Sequence, residues 1–64
     1  MSFITTHLEI AKDSVSNAQH EVKIVMSELL KQKMGNSKNL AILQEAYKML
    51  QEVYRLLGIV QDNV

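Results

Sequence analysis

Apolar residues in the first half of the chain recur at Ile4, Leu8, Ala11, Val15, Ala18, Val22, Val25 and Leu29, alternately four and three positions apart. That interval keeps the whole set on one face of an α-helix, and no stretch of comparable length alternates as a strand does. The series predicts one long helix. Its start is placed at Thr6, whose hydroxyl can cap the first turn while Glu9, three residues on, closes a capping box; Ser2 is a competing cap. Asp13-Ser14-Val15-Ser16-Asn17 is the weak stretch, because short polar side chains compete for backbone hydrogen bonds. A break near residue 16 therefore stands as the alternative to a continuous helix.

The expected stop lies at residue 34. Lys31 and Lys33 suit the carbonyl end of the helix dipole, and Gly35 suits the left-handed conformation just past a helix end. Asn36-Ser37-Lys38-Asn39 supplies turn and capping residues. The expected layout is helix 1 over 6–34, a turn at 35–37 and helix 2 over 38–60, with disordered ends.

Helix 2 carries two apolar stripes. One is Leu40, Leu43, Tyr47, Leu50, Tyr54 and Leu57; the other is Ile42, Ala46, Met49, Val53, Leu56 and Val60, displaced roughly 60–100° around the axis. Glu45/Lys48, Lys48/Glu52 and Glu52/Arg55 fall at helical ion-pair spacing on the remaining, solvated face. Gly58 disfavours a helix interior, so it is expected to mark the last ordered turn or to permit a close crossing.

A turn this short forces the helices antiparallel, giving an all-α helical hairpin that forms a single domain over residues 1–64. With Leu8, Ala11, Val15, Ala18, Val22, Val25 and Leu29 set against helix 2, the side chains Met26, Leu30, Met49, Val53 and Leu56 are left outside. One facing helix also cannot cover all of Val22, Ile24, Val25, Met26, Leu29, Leu30 and Met34. The expected protein interface comprises Val22, Met26, Leu30, Tyr47, Met49, Leu50, Val53, Tyr54 and Leu56, with a tyrosine as a possible anchor at its edge. Methionine divides between filling core gaps and adapting to partners.

Composition sharpens this picture. Hydrophobic residues make up 47% of the 64, with no proline, no cysteine and two glycines. No disulfide can stabilise so short a chain, and two histidines without thiols make a structural zinc site improbable. Oligomerisation or a partner remains as the source of stability. Lys and Arg balance Asp and Glu at seven each, so there is no general attraction to nucleic acid or to an anionic bilayer. A basic centre of Lys31, Lys33, Lys38 and Lys48 against Glu45 is weak evidence for nucleic-acid binding, which ranks below the protein-interaction readings. The longest uninterrupted apolar run, Leu56 to Val60, is far too short to span a bilayer, and the opening residues show neither the basic nor the apolar region of a signal peptide. A cytoplasmic protein is the expectation.

Candidate chemistry is sparse. His7 and His20 lie on different sides of one helix, and Glu9 with Asp13 sits where carboxylates stabilise a helix start without any ligand. There is no nucleophile with a base partner, no glycine-rich phosphate loop and no metal motif. Neither enzymatic activity nor a metal or other cofactor is expected. The chain reads instead as a protein–protein interaction module, paired with another protein or with itself as a dimer or tetramer.

The segment Glu28-Leu29-Leu30-Lys31-Gln32-Lys33-Met34-Gly35, a polar turn, then Asn39-Leu40-Ala41-Ile42-Leu43-Gln44 and a second helix ending Leu57-Gly58-Ile59-Val60 resembles the small helical co-chaperones of type III secretion systems. The resemblance covers nearly the whole chain and rests on length, turn placement and helical pattern. It implies a hairpin that pairs with a tetratricopeptide-like chaperone to keep a needle subunit soluble in the bacterial cytoplasm. It further implies that Val22, Met26, Leu50 and Tyr54 face that chaperone. The family has no catalytic residues to carry over.

Overall fold

The computed structural model describes residues 2–32 and 37–64 and contains two α-helices, α1 over Phe3–Lys31 and α2 over Ser37–Asn63. They lie side by side as a hairpin about 50 Å long and 14 Å by 10 Å across its shorter axes. The expected all-α hairpin is the observed fold. Its antiparallel sense follows from the contacts across the seam, where Lys12 reaches Gln61 and Lys23 lies over Tyr47.

Helix α1 starts earlier than expected. Ser2, in extended conformation, is the cap, and its Oγ accepts a hydrogen bond from the Thr5 amide at 3.1 Å. Thr6 sits inside the first turn, where its amide and its hydroxyl both donate to the Ser2 carbonyl. The Thr6–Glu9 capping box is therefore replaced by a cap one turn earlier, which brings Phe3 and Ile4 into the helix. The Phe3 ring then packs on His7 with centroids 4.1 Å apart.

No break occurs near residue 16. Helical backbone runs through Asp13-Ser14-Val15-Ser16-Asn17, since the half-buried Val15 and Ala18 hold that stretch in the seam and packing overrides weak local propensity. The helix ends at Lys31 and not at 34, with Gln32 as its cap and the Gln32 amide bonded to the Leu29 carbonyl. Lys31 stands in the last turn, as charge on the helix dipole favours. The proposed turn position of Gly35, together with Lys33, Met34 and Asn36, lies outside the described residues.

Helix α2 begins at Ser37, inside the expected turn, and passes position 60 to reach Asn63. Gly58 neither terminates it nor marks a close crossing: a Cβ added there would meet nothing within 4 Å. Of the three ion pairs read from spacing, Glu52–Arg55 is formed, and Glu28–Lys31 closes at 3.2 Å near the end of α1.

Among the described residues none is fully buried. The seam is half-buried throughout, built from Leu8, Ala11, Val15, Ala18, Val22, Met26 and Leu29 of α1 against Leu40, Leu43, Ala46, Tyr47, Leu50 and Leu57 of α2. Two helices touching along one line leave every seam residue open to water on a flank.

Candidate functional site

Helix geometry divides the hairpin into two unlike faces. Measured around α2 from Leu50, Tyr47 and Tyr54 lie roughly 40–60° to one side, whereas Ile42, Met49, Val53, Leu56 and Val60 lie roughly 60–120° to the other. On α1, Lys12, Gln19, Lys23 and Met26 flank Val15 and Val22 on the first side, with Val25 on the second. Contacts across the seam join like to like. The Lys12 ammonium lies 5.0 Å from the Tyr54 ring centre and the Lys23 ammonium 5.4 Å from that of Tyr47. The tyrosines therefore belong to a polar face covered by α1 lysines, and the apolar side chains occupy the opposite face.

The polar face is closed by side-chain bonds at the open end of the hairpin. Lys12 Nζ donates to Gln61 Oε1 at 2.9 Å, and Gln61 Nε2 donates to Glu9 Oε1. One amide thus bridges an ammonium and a carboxylate of α1 and ties the last turn of α2 to the early turns of α1. Further along, Lys23, Met26, Gln44, Tyr47, Lys48 and Gln51 line an open groove of about 380 Å³. Its rim is basic and amide-rich, its floor one ring and one thioether.

On the opposite face, Ile42, Met49, Val53, Leu56 and Val60 form a continuous exposed row on α2, with Met49 61% and Ile42 57% exposed. Val25 on α1 extends the row, at 47% exposure. This corrects the expected division of residues: Val25 was expected in the seam and Met26 outside it, and their places are exchanged. A heptad drifts about 20° per repeat relative to a straight α-helix. By the third heptad the drift carries Val25 out of the seam and Met26 into it. At the far end Gln61, the next position of the first stripe after Leu57, meets α1, while Val60 stays exposed.

The nine residues expected at the interface therefore fall into three groups. Val22, Met26, Tyr47 and Leu50 are half-buried in the hairpin's own seam or at its polar edge. Met49, Val53 and Leu56 stand together on the exposed apolar face. Tyr54 lies on the polar face under Lys12, and Leu30, 69% exposed, lies apart from the α2 row near the end of α1. Ile42 and Val60, which belong to the second stripe but not to those nine, complete the apolar row. Their intervals from Met49 and Leu56 were the signal that placed them there.

An electrostatic perturbation lies on the solvated side of α2. The hydrogen-bonded Arg55 guanidinium holds the Glu52 carboxyl below its ordinary value, and Glu52 raises Arg55 in turn. His7 and His20 are exposed. No group of three or more His, Cys, Asp or Glu residues suited to a metal ion occurs among the described residues, and none of the described helices is long and apolar enough to cross a membrane. Comparison with protein-family models, with characterised proteins and with solved structures gives no match.

Proposed function

We propose that the chain is a non-enzymatic protein–protein interaction module that works by presenting the apolar face of α2 to a protein partner. The observation that carries this reading is the row Ile42, Met49, Val53, Leu56 and Val60, left exposed in a chain with no fully buried residue among those described. A contiguous apolar row of that length marks an association surface in a soluble protein, because covering it supplies the burial that the hairpin cannot supply alone. The resemblance to type III secretion co-chaperones gives this reading its specific form, in which the partner is a tetratricopeptide-like chaperone and the complex keeps a needle subunit soluble in the cytoplasm.

The experiment is co-expression of the intact chain with the tetratricopeptide-like chaperone of its own cell, followed by purification through a tag on the chaperone. The co-chaperone reading expects a stable complex that Leu56→Ser weakens and Lys48→Ala leaves intact. Recovery of the chaperone alone, with this chain folded and soluble on its own, would overturn the co-chaperone form. A complex equally insensitive to both changes would remove the apolar face as the contact surface.

A further inference from the structure

The exposed apolar row on α2 is bordered by carboxylates on both sides. From Ile42 to Val60 the row runs about 27 Å at the rise of an α-helix. Measured around α2 from the middle of that row, Glu45 and Glu52 lie roughly 50–70° away on the side remote from α1. Across the seam, Glu21 and Glu28 lie roughly 40–60° beyond Val25 on the second side of α1, and the register set by Lys23 over Tyr47 puts them level with Met49 and Ile42. All four carboxylates are exposed. Met49, the most exposed member of the row at 61%, thus has Glu21, Glu45 and Glu52 around it.

The basic side chains lie elsewhere. Lys12, Lys23 and Lys48 belong to the polar face. Lys31 and Arg55 pair with Glu28 and Glu52 from the flank away from the row, and Lys38 stands one turn before Ile42 at the end of it. Glu21 and Glu45 take part in no ion pair among the described residues. We infer that the partner of this face is an amphipathic helix whose apolar stripe is bordered by lysine or arginine side chains. A helix matches a straight ridge with about one apolar side chain per turn, and basic borders match acidic ones. A second copy docked row to row sets acid against acid in either direction: antiparallel copies bring Glu52 near its twin, and parallel copies bring the Glu45 border to the Glu21 border.

This inference rests on the interaction-module reading and adds the charge of the partner's segment. Apolar burial supplies affinity whatever the borders carry, and the carboxylates supply the choice between partners. A face that binds without regard to charge therefore overturns the inference and leaves the module reading standing.

The test uses the intact chain and two synthetic helical peptides with the same leucine stripe at helical intervals, one bordered by lysine and the other by glutamate. The formal net charge of the chain is zero, so its overall charge favours neither. Binding read by fluorescence anisotropy at low salt should be roughly tenfold tighter for the lysine-bordered peptide, and the gap should narrow in high salt. Glu21→Lys and Glu45→Lys made together should reverse the preference; both positions are exposed, and circular dichroism checks that helicity is kept. Met49→Ser should weaken both peptides. Equal affinity for the two peptides, no binding of either, or a preference that charge reversal leaves in place would overturn the inference. So would a stable dimer of the free chain that Met49→Ser dissociates, since the face would then belong to a second copy.

Discussion

Single residues set the ends and the tolerance of each helix. The Ser2 hydroxyl satisfies the Thr5 amide at the start of α1, so Ser2→Ala should cost about 1 kcal/mol of helix stability, read as early loss of amide-exchange protection over residues 3–6. Replacement of Thr6 by Val should cost less, because its hydroxyl only supplements the Ser2 carbonyl bond already made by its amide. At Gly58 the backbone is helical and the space beside it open. Gly58→Ala should therefore stabilise the protein by up to about 1 kcal/mol, measured by chemical denaturation. An unchanged or lowered midpoint would mean that some contact in the assembled protein uses the missing side chain. Glu52 carries a pH signature. Its carboxyl is held below its ordinary value by Arg55, so the stabilisation is present above the ordinary carboxylate range and is lost as pH falls through the lowered value. Helicity of the native chain should show that acid limb, and Glu52→Gln should lack it. The pair is exposed, so the change should be small and weaken further in salt.

At the scale of the element, α2 carries two apolar stripes with different duties. Seam residues hold α1 to α2, and the outer row of α2 does not. Leu50→Ala should lower both helicity and thermal stability, because Leu50 is half-buried between the helices and large-to-small changes there remove burial from the hairpin itself. Met49→Ala should spare the helicity of the hairpin at matched assembly state and act mainly on association, since Met49 is 61% exposed. Circular dichroism with sedimentation on both variants separates the two duties. Equal loss of helicity would place Met49 in the seam. The bridge of Gln61 to Lys12 and Glu9 closes the open end of the seam, so Gln61→Leu should fray the last turn of α2 before anything else, seen as faster amide exchange over residues 58–63.

At the scale of the whole molecule, the hairpin is too thin to exclude water from its own interior. Two helices in contact have one seam, and a seam without a third or fourth helix leaves its flanks wet. If the apolar face of α2 is covered by self-association, stability is linked to it, and the unfolding midpoint of the native protein should rise with protein concentration. A midpoint independent of concentration over the range in which mass is measured would mean that the hairpin stands alone. The two faces differ in what they present. On the polar face Lys12 bonds Gln61 and lysines lie over the tyrosine rings, while the other face presents methyl-bearing side chains that stay exposed.

The helical period, the absence of proline and the polar stretch around residue 36 determined two helices and a hairpin without reference to three-dimensional structure, because local spacing decides which residues share a face. The two stripes of α2 were legible for the same reason, and with them Met49, Val53 and Leu56 of the candidate surface. Which of two competing hydroxyls caps α1 was decided by local hydrogen bonding, the Ser2 hydroxyl taking the Thr5 amide while Thr6 lies within the first turn. Two matters were left to the tertiary structure. Whether α1 bends at its serine-rich stretch depended on Val15 and Ala18 having α2 to pack on. The exchange of Val25 for Met26, and the parting of the tyrosines from the apolar row, depended on the rotation of each straight helix relative to the other, a quantity that intervals along one chain do not contain.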